Sequence, residues 1–313
     1  MEQSLYIEHN SLMKIIKLAR PQFLLASLVL YTLGAAWALI LGAEPELLRL
    51  LWGYSIVFTA QLSVSFSNDY FDVESDRFGN PSTFAGGSGI LVKNPDLKVF
   101  ARRAAVTLIL LSLFLGFLFT VNYAYPLWFF GLIVIGNLLG WFYAAPPIRL
   151  AYRGLGEIST SITAGAFLPG MGYLAATGTF DGNGLIFMIP LLLIGLAFIL
   201  SVEIPDMEAD HLGGKKTWVA RWGRAFGFRA AGILLLAAAG YFFLVSAIAV
   251  YPLPVNFRIL GFFSLLPLCA AWIGIVRRPE GKQESTFIVN TIIGAMIAFF
   301  VLSDTYLVFL VLK

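Results

Sequence analysis

Residues 184–210 read GLIFMIPLLLIGLAFILSVEIPDMEAD: an apolar run without a charge until Glu203, followed by Asp206, Glu208 and Asp210. An uncharged run of this length is enough to cross a bilayer, which takes about 17 to 25 apolar residues as a helix. The same pattern occurs earlier in the chain. There the apolar run 48–68 leads into Asn68-Asp69-Tyr70-Phe71-Asp72-Val73-Glu74-Ser75-Asp76. Both strings contain Asp-x-Glu-x-Asp, as Asp72/Glu74/Asp76 and as Asp206/Glu208/Asp210. With only 18 acidic residues in 313, two such concentrations at membrane boundaries are costly, and ionisable groups placed there read as functional.

Working outward, hydrophobic residues make up 59% of the chain and charged residues 12%, with a mean hydropathy of +0.83. That composition predicts an all-α polytopic membrane protein and leaves no room for a soluble domain. Nine spans are expected, at about 22–42, 48–68, 103–122, 126–145, 158–178, 184–205, 230–250, 256–276 and 287–311. They would form one membrane-embedded domain over 1–313, with cap loops at 70–102 and 206–229. Residues 1–20 form an N-terminal interfacial segment, weakly amphipathic over 11–20. Its Glu2, Glu8, His9, Lys14 and Lys17 leave no apolar core for a cleavable signal peptide. Cys269 is the single cysteine, so there is no disulfide framework, and its apolar span does not suit a thiol nucleophile.

Lys and Arg set the orientation. With nine spans, the face holding the N-terminus and the loops after spans 2, 4, 6 and 8 carries 18 of them, against Arg49, Arg258 and Lys313 on the other. This predicts a cytoplasmic N-terminus and cytoplasmic acidic strings in a plasma-membrane protein. The net charge of +3 follows from that topology, and no module for nucleic acid is present.

If the second span continues helically, Asn68, Asp72 and Asp76 recur at i, i+4 and i+8 and form one stripe. Asp206 and Asp210 repeat the i, i+4 relation, Glu203 lies one turn earlier, and Pro205 can kink the helix there. Two carboxylate stripes facing across a cavity raise each other's pKa unless cations lie between them. Oxygen ligands without a Cys or His cluster favour a hard ion, Mg²⁺ in particular, bridging to substrate phosphates. Gly213-Gly214-Lys215-Lys216-Thr217 follows the second string, with Arg221 and Arg224 beyond it, and places Lys215 where an oxyanion would be neutralised. Gly86-Gly87-Ser88-Gly89 opens no βαβ unit and reads as a flexible lid over the cavity mouth, not as a phosphate loop.

Asn68-x3-Asp72-x3-Asp76 and Asp206-x3-Asp210 on nine apolar spans, with Arg20-Pro21 at the first of them, resemble the UbiA superfamily of intramembrane prenyltransferases over nearly the whole chain. Three stretches look like its 1,4-dihydroxy-2-naphthoate polyprenyltransferase branch: Asn68–Asp72, Phe84–Gly89, and Tyr143-Ala144-Ala145-Pro146-Pro147 through Arg149, Tyr152 and Arg153 to Glu157. Two places depart from that branch. Ser75 stands where a glycine is common, and Glu203-Ile204-Pro205 replaces a lead-in containing Asn and Arg. The resemblance implies a helix bundle around a central cavity open to the cytoplasm, built as two four-helix repeats plus one helix. It implies that Asn68, Asp72, Asp76, Asp206 and Asp210 hold Mg²⁺ against a polyprenyl diphosphate. Lys215, Arg149 and Arg153 would stabilise the departing diphosphate. Aromatic and apolar walls would shield an allylic cation, and Tyr143 would orient or deprotonate a small aromatic acceptor.

The same chemistry on 4-hydroxybenzoate, homogentisate, a haem-type porphyrin or a glycerol-phosphate ether lipid is the nearest alternative. A cation-coupled transporter is the alternative of a different class. It would place carboxylates near the midplane on interrupted helices, whereas both strings here lie at one interface. Of the remaining polar residues, Asp69 adjoins the motif but lies off the stripe of Asp72 and suits a helix–helix contact. Asp304 suits a bond to a neighbouring helix, Glu157 a cap or a pair with Arg153, and His211 an exposed loop position.

Overall fold

A backbone in hydrocarbon has only itself to hydrogen-bond with, so long apolar runs become helices. The computed structural model describes residues 12–79, 82, 84–248 and 254–313, and among them there is no strand. Helix α1 covers 12–19. It is followed by α2 (Pro21–Ile40), α3 (Leu47–Phe71), α4 (Val73–Asp76), α5 (Ile90–Lys93), α6 (Lys98–Asn122) and α7 (Leu127–Ala144). Next come α8 (Gly156–Ile162), α9 (Leu168–Thr177), α10 (Gly182–Leu212), α11 (Trp218–Trp222), α12 (Arg224–Ile248), α13 (Phe257–Arg277) and α14 (Lys282–Leu312).

Among the described residues, eight helices are long and apolar enough to cross a membrane: α2, α3, α6, α7, α10, α12, α13 and α14. The segment expected as a span at 158–178 is helical throughout but divided, because a π turn at Thr163–Phe167 separates α8 from α9. Pro169 at the start of α9 has no N–H to offer the carbonyl four residues back, which loosens the ladder there. The expected cap loops also hold more helix than predicted. Helix α3 reaches Phe71, α10 runs through Pro205 to Leu212, and α12 begins at Arg224. Between them, 70–102 and 206–229 contain α4, α5 and α11.

The helices close into a ring: α10 packs on α12, α12 on α13, α13 on α14, and α14 returns to α2. Helix α2 belongs to both large apolar cores. Trp37 stacks on Phe187 at 4.9 Å and meets Phe257 edge-on at 5.8 Å in one core, while Tyr31 joins Phe119, Phe129 and Met171 in the other. Its contact with α9 is backbone to backbone. A Cβ on Gly172 would lie 2.9 Å from both the Ala35 nitrogen and the Tyr31 carbonyl carbon, so only glycine permits this approach. On the other side of α2, the Thr32 hydroxyl donates to Asp304 on α14 at 2.9 Å, the neighbouring-helix bond expected of that aspartate.

Candidate active site

Helix α3 stops at Phe71, and Asp72 sits between α3 and α4 with φ −95° and ψ 5°. The ladder nevertheless continues through it: the Asp72 N–H donates to Asn68 at 2.9 Å and the Asp76 N–H to Asp72 at 2.8 Å. Asn68, Asp72 and Asp76 therefore keep one face across the break. Asp206 and Asp210 share a face of the unbroken α10. All five line one cavity of about 120 Å³, together with Tyr143 and Lys215. The cavity lies where α3, α7 and α10 end and α2 begins. A second cavity at the opposite end of the bundle is lined by the end of α2, the start of α3, the end of α9 and the start of α10.

Lys215 links the two stripes. Its Nζ is 2.9 Å from Asp72 Oδ2 and 4.0 Å from Asp210 Oδ1. Burial opposes the charge on this ammonium, but Asp72, Asp210 and Asp76 outweigh it and hold its pKa well above the usual lysine range. The Tyr152 hydroxyl donates to the other Asp72 oxygen, Oδ1, at 2.7 Å, and the Arg149 guanidinium lies 3.6 Å over the Tyr152 ring. Burial first, then the Asp72 charge, pushes the Tyr152 phenol up to about 12. Burial also pushes the Asp76 carboxyl up to about 7, with Lys215 opposing and Asp72 and Asp69 adding to the rise. The Thr217 hydroxyl donates to Asp210 Oδ2 at 3.3 Å.

The glycine-rich stretch does lie over the cavity, and it is tied down at two points. Asp69 accepts the Ser88 N–H at 3.2 and 3.3 Å and the Ser88 hydroxyl in a short contact, and Arg20 donates to the Gly86 carbonyl at 2.7 Å. A Cβ on Gly87 would run into the Asp76 carboxyl, 2.6 Å from its Cγ, so glycine here lets the loop lie against Asp76 without moving that side chain. Asp69 thus fastens a loop and does not make the helix–helix contact expected of it.

Several expectations are not met. Arg149 and Arg153 are not among the cavity's lining residues; Arg149 is engaged on Tyr152, and the exposed Arg153 donates to the Pro147 carbonyl at 2.9 Å. Both arginines follow the Pro146-Pro147 turn, and Arg149 reaches the carboxylates only through Tyr152, on whose ring it lies. Glu157 does not pair with Arg153; fully buried, it accepts the Trp218 N–H. Glu74 pairs with Arg77 at 2.8 Å and Glu208 with Arg224 at 2.5 Å, so the middle residues of both Asp-x-Glu-x-Asp strings point away from the cavity. Conversely, Arg20, Asp69 and Glu203 line the cavity although sequence reasoning did not select them, and Tyr152 holds Asp72.

Six carboxyl groups line this space (Asp69, Asp72, Asp76, Glu203, Asp206 and Asp210), against the two cationic side chains of Arg20 and Lys215. Asn68 Oδ1 is buried there without a hydrogen-bond partner. Among the described residues, no three acidic, His or Cys side chains are drawn together tightly enough to enclose an ion by themselves. Excess negative charge on oxygen-only donors suits a hard cation that keeps waters and shares its coordination with a phosphate.

A helical membrane bundle whose two carboxylate stripes and part-buried lysine line one polar cavity has the form of an intramembrane enzyme, with a site suited to a cation and an anionic group. Residues 27–301 match the UbiA prenyltransferase family, and the chain belongs to it. It is 26% identical over 201 residues to a 1,4-dihydroxy-2-naphthoate octaprenyltransferase of Bacillus subtilis, covering 64% of this chain and 63% of that protein. It is 27% identical over 156 residues to a 2-carboxy-1,4-naphthoquinone phytyltransferase of Synechocystis, covering 49% of this chain and 48% of that protein. The chain thus spans less than two thirds of the length of either curated relative. Its fold is similar to that of a UbiA homolog from Archaeoglobus fulgidus, with TM-score 0.66 and 16% identity over 96% of this chain and 100% of that one. The same homolog bound to DMAPP and Mg²⁺ superposes with TM-score 0.63 at 16% identity, over 92% of this chain and 99% of that one.

Proposed function

We propose that this protein transfers a polyprenyl group from polyprenyl diphosphate to a small aromatic acceptor, 1,4-dihydroxy-2-naphthoate, in a Mg²⁺-dependent step of menaquinone biosynthesis. One observation carries the reading: Asn68, Asp72, Asp76, Asp206, Asp210 and Lys215 converge on a single cavity within the bundle. The acceptor follows from the two curated relatives, both named for prenylation of naphthoate-type rings.

Asn68, Asp72, Asp76, Asp206 and Asp210 would hold the metal. When bound, Mg²⁺ supplies positive charge to the oxygens of the leaving diphosphate. Lys215, now paired with Asp72, adds a second positive group on the same side, and Arg20 stands at the cavity edge for the distal phosphate. Arg149 and Arg153 lie in the following turn and would meet diphosphate only at the rim. Tyr152 orients Asp72 by its hydrogen bond. As the allylic C–O bond breaks, the apolar and aromatic bundle interior excludes water from the carbocation, and Tyr143 orients the acceptor ring against it.

The segment from Gly156 to Thr177 starts at the site end and reaches the second cavity, so α8, the π turn and α9 together act as a ninth span. Helices α2–α7 and α8–α13 then form two four-span repeats, each bearing an acidic string at the end of its second span, with α14 as the extra helix. The Lys/Arg asymmetry turns the site end toward the cytoplasm, in the plasma membrane. Chain 1–313 acts as one membrane-embedded domain with the lipid bilayer as its solvent.

Purified protein with Mg²⁺, a radiolabelled polyprenyl diphosphate and a panel of dihydroxynaphthoate, 4-hydroxybenzoate, homogentisate and glycerol-phosphate lipid acceptors tests this. Label should move to dihydroxynaphthoate; movement to another acceptor alone replaces the acceptor, and none to any acceptor refutes the reading. Tyr152→Phe removes one hydrogen bond to a charged group, worth about 1.5 kcal/mol, and should lower kcat/KM roughly tenfold without loss of fold. An unchanged kcat/KM would show that Asp72 needs no such support.

A further inference from the structure

Two buried carboxyl groups, one in the cavity wall and one behind it, are not used by the metal and diphosphate chemistry. Glu157, at the start of α8, has no exposed surface, and Glu203, one turn before Asp206, is 5% exposed and lines the cavity. Glu157 Oε1 accepts the Trp218 N–H, while its Oε2 and both Glu203 oxygens have no hydrogen-bond partner. The two side chains face each other. The Val219 N–H lies near Glu203 without completing a hydrogen bond, and Arg221 acts on Glu157 from beyond ion-pair distance. Among the described residues no Lys or Arg forms an ion pair with either glutamate. Ionised carboxylates only accept hydrogen bonds, so two facing each other repel; one proton between them makes a donor and satisfies both. Tyr143 closes the same corner, its ring packed so that a Cβ on Gly156 would be 3.4 Å from the hydroxyl.

We propose that Glu203, poised by Glu157, accepts the hydroxyl proton of the aromatic acceptor as its ring attacks the prenyl group; this rests on the prenyl-transfer reading above. A ring electron pair forms the new C–C bond, and the C–O bond of the prenyl diphosphate breaks with its pair leaving on diphosphate. The hydroxyl O–H bond breaks, its pair forms a ring C=O, and its proton passes to Glu203. The substituent on the attacked carbon then leaves as a proton, or as CO₂ if it is a carboxylate. Its electron pair restores the aromatic ring, and the ring oxygen takes the proton back from Glu203. The buried pair ends as it began, holding one proton.

Glu203→Gln and Glu157→Gln keep the shape of each side chain and test this in purified protein with Mg²⁺ and 1,4-dihydroxy-2-naphthoate. Glu203→Gln should lower the transfer kcat about 100-fold, within the range for loss of a general base. Glu157→Gln should lower it less, roughly tenfold. Stabilisation against heat by Mg²⁺ with an unreactive prenyl thiodiphosphate should match the wild type in both variants. The Glu203→Gln deficit should shrink with ring-fluorinated acceptors, whose hydroxyls are more acidic. A wild-type rate in Glu203→Gln, a constant deficit across acceptors, or loss of thiodiphosphate stabilisation overturns the role of Glu203. Failure of the wild type to prenylate any acceptor overturns the reading beneath it instead.

Discussion

Asp72→Ala should reduce prenyl transfer by about 10²- to 10³-fold, the scale on which removal of one preorganised electrostatic group acts, and Asp206→Ala should match it. Asp72 has the most connected position in the cavity: Lys215 holds one of its oxygens at 2.9 Å and Tyr152 the other at 2.7 Å. Removing it strips the first string of its central ligand, leaves Lys215 with Asp210 at 4.0 Å, and leaves the Tyr152 hydroxyl without its acceptor. Asp206 has the corresponding place on α10 and is 7% exposed, so its loss opens the opposite wall. Radiolabel transfer measures the activity. Stabilisation by Mg²⁺ with a prenyl thiodiphosphate separates lost binding from lost folding and should vanish in both variants while size-exclusion profiles stay those of the wild type. Either variant retaining wild-type transfer would remove the carboxylate stripes from the mechanism.

Gly172→Ala should be among the most damaging single-methyl substitutions in the bundle, lowering stability by about 3 kcal/mol, the upper end of the usual range for overpacking. The new methyl has no flexible side chain to displace. It meets the backbone of α2 at Tyr31 and Ala35, so the two helices must separate. Gly34→Ala drives the same wedge from the other side, against the Pro169 backbone. Gly294→Ala is the control: nothing lies within 4 Å of its Cβ position, and alanine favours helix over glycine by up to about 1 kcal/mol. Thermal unfolding in detergent should order the variants with Gly294→Ala at or above wild type and Gly172→Ala far below. Since α2 begins beside Arg20 at the cavity, Gly172→Ala should lose activity too. A melting temperature within about a degree of wild type would refute the backbone contact between α2 and α9.

The spans were legible because the bilayer demands only length and apolarity, and each expected run falls on helix within a few residues. Their ends were less so. The span expected to close at 205 continues to Leu212, because Asp206 and Asp210 are buried against the cavity and the i−4 ladder continues through them. The break within 156–177 was equally hidden, since π geometry depends on how closely Gly165 approaches α10 at Leu191 and Leu192. In the site, Asn68, Asp72, Asp76, Asp206 and Asp210 were readable because i, i+4 spacing puts them on shared faces, and Lys215 because it follows the second string. Tyr152 on Asp72 and Arg20 on Gly86 join residues 80 and 66 positions apart, and no local pattern encodes such pairs. The contacts of Arg149 with Tyr152 and of Arg153 with Pro147 were equally unreadable, since closeness in sequence to the Tyr143 helix says nothing about the direction of the turn after Pro147.

The two acidic strings differ in compliance. On α10 the ladder passes Asp206 and Asp210 inside one 31-residue helix, whereas α3 ends at Phe71 and the four residues of α4 hang from Asp72. One wall of the cavity is thus a single beam, and the other is spliced at Asp72, where the same residue joins two helices and holds Lys215 and Tyr152.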